Sequence, residues 1–309
     1  MKCILCYNKS VLVDSFKTSD LRILYKRYLK ISPSQLVNID KRVSLLQCKE
    51  CGLKYFYPQI IGNPSFYEDL QKYDWYYLKN KDEYNYANQF IATKDKVLDV
   101  GCGFGEFAKI VSTKKYTGLE FNERAILHGE KNKINIIKQS AEKHSVKYNL
   151  HYDVVCAFQV LEHVQDPNTF IKSCLESLKK GGKLIFSIPS DDSFVGKAAN
   201  SVLNLPPHHQ TRWPDKTLKF IANLFSLKIV DVHHEPLSPI HFNSFVRLMI
   251  SQNIERKIGK GKKVVDVGVG KHVIDTTSFY LAKLFSEGLK ELSSTIYGHS
   301  VTVVYEKSK

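Results

Sequence analysis

The sequence predicts an α/β protein organised on a mostly parallel sheet, on three grounds. From Lys96 onward, apolar runs of four to six residues alternate with helical patterns, as parallel βαβ units require. The first of these runs breaks into a glycine-rich turn and the second ends in an acid, the layout of a nucleotide-binding sheet edge. A chain of 309 residues, 43% hydrophobic and 12% aromatic, can also bury a full core, with room for an appendage beside one large domain.

At the start of the chain, Met1-Lys2-Cys3-Ile4-Leu5-Cys6 turns polar too soon for a signal peptide. No apolar run reaches the roughly 18 residues of a membrane span, so a cytoplasmic protein is expected. Four of the seven cysteines form two pairs, Cys3/Cys6 and Cys48/Cys51, whereas Cys102, Cys156 and Cys174 stand singly in apolar or motif contexts. Disulfides are disfavoured in a reducing compartment, and two C-x-x-C knuckles offer four thiolates in the tetrahedral set that zinc prefers. Cys3, Cys6, Cys48 and Cys51 are therefore the candidate structural zinc ligands, with a spacer of 41 residues that is longer than in an ordinary ribbon. A redox dithiol is the alternative for either pair alone.

Between the knuckles, Leu21, Leu24, Tyr25, Tyr28 and Leu29 recur at helical spacing after Ser19-Asp20, which predicts an inserted amphipathic helix. Leu53 to Pro58 reads as a short strand, and Asn63 to Asn88 as a tyrosine-rich stretch with helical periodicity. Strands follow at Val97 to Val100, Tyr116 to Leu119, Ile134 to Ile137, Val154 to Phe158 and Leu184 to Ile188. The clearest helix starts at Asp166-Pro167, buries Phe170, Ile171, Cys174, Leu175 and Leu178, and is expected to stop at Gly181-Gly182. Further strands are predicted at Leu227 to Val232 and Ser300 to Tyr305, and the long span between them must hold helices of its own. The expected organisation is a zinc-binding segment over 1–62 with a helical insert, then a main domain over 63–309 with an insertion over about 236–297.

The balance of 45 Lys plus Arg against 31 Asp plus Glu gives +14, which favours anionic partners, but the lysines are scattered as on a solvated surface. The denser patch at Arg256, Lys257, Lys260, Lys262 and Lys263 reads first as a solvated glycine-rich loop.

The chemistry concentrates in Val97-Leu98-Asp99-Val100-Gly101-Cys102-Gly103-Phe104-Gly105-Glu106-Phe107, a buried strand entering a glycine turn and then a helix. Glycines let the backbone approach a ligand, and a helix start supplies unpaired N–H groups. Nineteen residues after Gly101 the next strand ends in Glu120, placed to accept both hydroxyls of a ribose. Together these indicate an adenosine-containing ligand. The third glycine comes one residue earlier than in a dinucleotide loop. Gly101-x-Gly103-x-Gly105 with Asp99 ahead of it resembles the first motif of class I S-adenosylmethionine-dependent methyltransferases. The resemblance continues through Tyr116 to Asn122, Gln139-Ser140-Ala141-Glu142, Tyr152 to Val164 and Leu178 to Leu184, so that it covers about Val97 to Ser190.

That resemblance implies a Rossmann-like sheet, mostly parallel with an antiparallel last strand, and S-adenosylmethionine as cofactor. It implies that Asp99 orients the methionyl amine through the turn, and that the backbone of Gly101, Cys102, Gly103 and Gly105 lies beside the cofactor. Glu120 would hold the ribose, Phe121 and the Ala141 loop would meet adenine, and Gln159 would line the methionine pocket. Val264 to Gly270 mimics the first motif but lacks its third glycine and the chain needed for a ribose strand, so no cofactor role is expected there.

Beyond the fifth strand, Pro206-Pro207-His208-His209-Gln210-Thr211-Arg212-Trp213 is rigid, aromatic and histidine-rich. His208 and His209, with His163 beside the cofactor motif, are the candidate catalytic bases. Gln159-Val160-Leu161-Glu162-His163 is also similar to the E-x-x-E-H metal motif of small-RNA 2′-O-methyltransferases, but its first carboxylate is glutamine, and no catalytic metal is expected from it.

Taken with Cys3, Cys6, Cys48, Cys51, Gly52, Leu53, Pro207, His208, His209, Arg212 and Trp213, the chain resembles bacterial methyltransferases encoded among genes for surface polysaccharides and deoxysugars. This implies a sugar or nucleotide-sugar acceptor methylated on oxygen or carbon, its phosphate met by Arg212 and the basic loop. Two alternatives stand beside it. One is a nucleic-acid methyltransferase, for which Ala157-Phe158-Gln159-Val160 lacks the usual N/D-P-P-Y/F motif. The other is an S-adenosylmethionine-binding module without catalysis.

Overall fold

A computed structural model describes residues 1–36, 41–73, 81–285 and 296–308. Two expected stretches fall partly outside them: the tyrosine-rich stretch at 74–80 and the C-terminal insertion at 286–295. Strands β1 (Ser10–Lys17), β2 (Arg42–Cys48), β3 (Lys54–Tyr57) and β9 (Thr211–Arg212) make a small antiparallel sheet. The large sheet comprises β4 (Lys96–Val100), β5 (Lys115–Leu119), β6 (Ile136–Ile137), β7 (Tyr152–Phe158), β8 (Leu178–Pro189), β10 (Leu227–Pro236) and β11 (Tyr297–Lys307). Its order is β10-β11-β8-β7-β4-β5-β6. The strands from β8 through β6 pair parallel, and β11 alone runs against both of its neighbours. The order reverses at β4, with β5 and β6 on one side and β7 on the other, and in such sheets ligands bind at the carboxyl ends of the strands at that point.

The helices are α1 (Thr18–Leu29), α2 (Pro64–Leu70), α3 (Asp82–Asn88), α4 (Glu123–Asn132), α5 (Ala141–Lys147), α6 (Pro167–Ser177), α7 (Phe194–Lys197), α8 (Asp215–Leu224), α9 (Pro239–Lys257) and α10 (Val269–Phe285). Helix α1 is the expected insert between the knuckles: Asp20 folds back to accept from the Lys17 N–H, and Leu21, Leu24, Tyr25 and Leu29 face inward. Helix α6 starts as read, with the Asp166 side chain accepting from the Thr169 N–H and Pro167 at its first turn.

Two local expectations are corrected. Helix α6 ends at Ser177, because Leu178 is extended and already pairs with Tyr152 as the first residue of β8. Gly181-Gly182 therefore lies within a strand irregularity. A Cβ on Gly182 would stand 2.9 Å from the carbonyl oxygens of both Asp153 and Lys179, so close backbone approach selects glycine there. The glycine turn after β4 leads into a single 3₁₀ turn, Phe107–Lys109, in place of the expected helix.

One apolar core runs from the small sheet into the large one, joining Leu5, Cys51, Leu53 and Tyr55 to Leu98, Phe186 and Trp213. Asn168 of α6 donates to the Leu5 carbonyl at 2.7 Å, and the Tyr25 hydroxyl lies 2.9 and 3.0 Å from the carbonyls of Val202 and Leu205. The cysteine-bearing segment is thus seated on the main body, and residues 211–212 of the main body complete its sheet. Helices α9 and α10 lie in the predicted insertion. Val264 to Val267 form a loop tied by the Asp14 and Asn200 side chains, with Lys260 paired to Asp266 at 2.8 Å.

Candidate active site

The ends of β4, β5 and β7 bring together the residues read from the glycine motif. Gly101, Gly103 and Gly105 have φ of 75°, 53° and 74°, conformations that a side chain disfavours. The N–H groups of Gly101 and Cys102 both reach the Leu119 carbonyl, at 2.8 and 3.1 Å, so the turn is fastened to the end of β5. Glu120 completes the fastening: Oε2 accepts from the Gly103 N–H at 3.0 Å, and Oε1 from the N–H groups of Phe121 and Asn122 at 2.6 and 3.0 Å. Phe121 is 63% exposed, and Ala141 is buried at the first turn of α5.

Asp99 is almost wholly buried below this turn. Its Oδ2 accepts from the Tyr116 hydroxyl at 2.8 Å, and its Oδ1 has no hydrogen-bond partner among the described residues. Burial raises its pKa to about 7, against the lowering effects of Tyr116 and Lys81. Gln159, at φ 57°, donates from Nε2 to Glu83 Oε2 at 2.7 Å and to Ser300 Oγ at 3.1 Å. Glu83 comes from α3, is buried, and also accepts from Ser187 Oγ at 2.5 Å. Sequence reasoning missed Glu83, because a single acid in a short helix has no spacing partner to mark it.

The histidines gather in a second cluster. His163 ends a 3₁₀ turn after β7, and His208 and His209 precede β9. Ring centroids are 4.7 Å apart for His163–His208, 4.9 Å for His163–His209 and 4.5 Å for His208–His209. Burial lowers His163 to about 4 and His208 to about 3, and depresses His209 well below its ordinary range. All three rings are therefore neutral near pH 7. Glu162, among them, is raised to about 8 by burial. Tyr67 packs its ring edge against His163, and burial raises its hydroxyl to about 12.

Arg212 is turned into the interior. Its guanidinium is buried, donates from Nε and Nη2 to the Asn204 carbonyl at 3.2 and 3.0 Å, and lies over the Phe56 ring. The four cysteine sulfurs converge, with Cys3–Cys51 at 3.7 Å, Cys6–Cys48 at 3.4 Å and all within 4.8 Å of one another. The Leu5 N–H points at the Cys3 sulfur at 3.4 Å, and contact with Cys51 pulls the Cys3 thiol down to about 5. This donor set fits a thiolate-binding ion.

A reversed strand beside a parallel sheet, a glycine turn following a buried acid and a second acid at the next strand tip define the class I S-adenosylmethionine-dependent methyltransferases. A family model for a methyltransferase domain matches residues 72–232, and the chain belongs to that family. Among curated relatives, the ubiquinone biosynthesis O-methyltransferase of Proteus mirabilis is 31% identical over 46% of this chain and 66% of its own length. Its namesake in Nitrosospira multiformis is 38% identical over 38% of this chain and 54% of its own. The chain thus spans between about half and two thirds of these two relatives. A crystal structure of an Archaeoglobus fulgidus S-adenosylmethionine-dependent methyltransferase aligns over 78% of this chain and all of that one, with 19% identity and a TM-score of 0.49. The relatives' names overturn the expectation of a sugar or nucleotide-sugar acceptor in polysaccharide biosynthesis. The buried placement of Arg212 removes the phosphate contact assigned to it.

Among the described residues no helix is long and apolar enough to cross a membrane.

Proposed function

We propose that the protein is an S-adenosylmethionine-dependent O-methyltransferase for a small hydroxylated acceptor. The observation that carries this reading is the Glu120 carboxylate held across the glycine turn that follows the buried Asp99. The relatives' names supply the oxygen acceptor. Bound S-adenosylmethionine supplies a methyl group on a sulfonium, which an acceptor oxygen attacks in line. The chain's own task is positioning. Glu120 takes the ribose hydroxyls, and the backbone of Gly101, Cys102, Gly103 and Gly105 lies along the cofactor. Asp99 acts through the turn on the methionyl amine. Phe121 and Ala141 flank the adenine, and Gln159, braced by Glu83 and Ser300, lines the methionine end. His163, His208 and His209 stand on the acceptor side. Their depressed basicity makes each a weak proton acceptor, so their contribution lies more in holding what enters the site than in deprotonating it.

Cys3, Cys6, Cys48 and Cys51 hold a structural zinc ion in this reading, in the segment over 1–62 that packs on the domain over 63–309. Reduced thiolates of this kind suit a reducing compartment such as the cytoplasm.

The test is calorimetric titration with S-adenosylhomocysteine, then labelled methyl transfer to panels of small hydroxylated acceptors. Glu120→Ala is expected to weaken binding about 10- to 150-fold, as loss of charge-assisted hydrogen bonds does. Absence of binding to the parent protein, or equal affinity in Glu120→Ala, refutes the assignment.

A further inference from the structure

The carboxyl edge of the sheet carries a histidine outside the cluster already described. Strand β11 runs against β8, so its first residues stand level with the end of β8, Ser300 opposite Pro189. His299 is fixed there by its backbone. Its N–H donates to Glu235 Oε1 at 2.9 Å, and its carbonyl accepts from the Ser190 N–H at 2.9 Å. Glu235, on the last turn of β10, also accepts from the Ser300 N–H at 2.8 Å. The half-buried ring lies 5.6 Å from that of His241 on α9. A charge on it is among those that depress His208 and His209, so His299 borders the acceptor side of the site.

A directed chain of hydrogen bonds sets which ring nitrogen holds the proton. The Gln159 amide has two N–H groups, and both are placed, one on Glu83 Oε2 at 2.7 Å and one on Ser300 Oγ at 3.1 Å. Ser300 Oγ thus accepts from Gln159 and keeps one hydrogen to give. On its other side stands His299 Nδ1, at 3.0 Å. A ring N–H at that position would compete with the hydroxyl hydrogen, whereas a bare Nδ1 receives it. The tautomer protonated on Nε2 therefore satisfies Gln159, Ser300 and His299 together. Burial, with the charges of His241 and Lys81, pushes His299 down to about 3, so the ring is neutral near pH 7. Among the described residues its Nε2 has no hydrogen-bond partner.

We infer that His299 is an acceptor-binding residue, presenting its Nε2–H to the oxygen to be methylated, and that this oxygen enters already ionised. The inference rests on the O-methyltransferase reading. A fixed N–H donor gains most from an oxyanion, because the hydrogen bond is then charge-assisted. His163, His208 and His209 are too weakly basic to take a proton from an un-ionised hydroxyl. Methyl transfer to an oxyanion forms the C–O bond as the sulfonium C–S bond breaks, leaving an ether and a thioether with no proton to place. The acceptor class is a hydroxyl acidic enough to ionise in water, of phenol or enol type, in preference to an alcohol. Through Ser300 and Gln159 the same chain links the acceptor oxygen to the methionine end.

The test is nitrogen-15 spectroscopy of the full chain labelled at histidine, with the His299 signals identified by their loss in His299→Gln. The cofactor-free protein is expected to show the Nε2–H tautomer, and Ser300→Ala to admit the other. Titration with 4-nitrophenolate should move the Nε2–H signal. His299→Phe keeps the ring volume without the donor and should weaken 4-nitrophenolate binding about 10- to 150-fold, as loss of a charge-assisted hydrogen bond does. His299→Gln, with an N–H near the same place, should retain most of the affinity. Both deciding readouts are made on the wild type: an Nδ1–H tautomer, or an Nε2–H signal that 4-nitrophenolate leaves in place, overturns the inference. Neither needs S-adenosylmethionine, so a protein that passes both yet ignores S-adenosylhomocysteine would sink the methyltransferase reading and leave the His299 donor standing.

Discussion

Replacing Gly101 by alanine tests whether the glycine turn is shaped by both backbone conformation and a packed neighbour. Gly101 sits at φ 75°, and a Cβ built on it would stand 2.5 Å from Val160 Cγ2, about 1 Å inside ordinary carbon contact. The left-handed backbone costs a non-glycine residue about 1–2 kcal/mol, and overpacking about 1–3 kcal/mol more. Gly101→Ala should therefore lose about 2–5 kcal/mol, a large share of the roughly 5–15 kcal/mol that holds a domain folded. Gly181 isolates the first contribution. Its φ is 73° but nothing lies within 4 Å of its Cβ position, so Gly181→Ala should cost only the backbone share of about 1–2 kcal/mol. Adding Val160→Ala to Gly101→Ala removes the clashing methyl, and a double-mutant cycle should return a coupling of about 1–3 kcal/mol. Urea unfolding of the four variants measures these differences. Calorimetry with S-adenosylhomocysteine should show weakened binding for Gly101→Ala, because a displaced turn breaks its two hydrogen bonds to the Leu119 carbonyl. A Gly101→Ala protein no less stable than Gly181→Ala, with no coupling to Val160, would refute the steric argument.

Asp99 makes stability depend on pH. Burial raises its folded pKa from 3.8 to about 7, so the stability it contributes is complete below the unfolded value and is lost as pH rises through about 7. Asp99→Asn should flatten that window in urea-unfolding profiles without ligand, and parallel profiles for the two proteins would contradict the placement. Tyr25→Phe removes the hydroxyl shared by the Val202 and Leu205 carbonyls and should destabilise by about 1–3 kcal/mol in thermal unfolding. Cys48→Ser should abolish binding of a thiolate-ligated zinc ion, read as metal content per chain beside a retained cofactor site. An unchanged zinc content would remove the four-cysteine site.

What could be read along the chain was local. Val97 to Gly105 carries its own punctuation, and Asp166-Pro167 caps α6 with atoms only three residues away. Strands β1 and β2 escaped notice because β1 lies at the edge of the small sheet, with Val11, Leu12 and Val13 outward and no clean alternation to betray it. Strand β9 is two residues long and exists only because β3, more than 150 positions earlier, pairs with it. Gly181-Gly182 signals a break equally well for a helix or a strand, and pairing with β7 made the choice.

By itself the sequence determined the parallel sheet, the glycine turn and the acid after it, because each rests on spacings within a few turns or strands, and the resemblance carried by those motifs gave the class of enzyme. Tertiary structure decided what lies across from what. It buried Arg212 against the Asn204 carbonyl, brought Glu83 beneath Gln159, and set His163 against His208 and His209. Those meetings depend on contacts between distant segments and on loss of water around charged groups, and neither is written in the order of neighbouring residues.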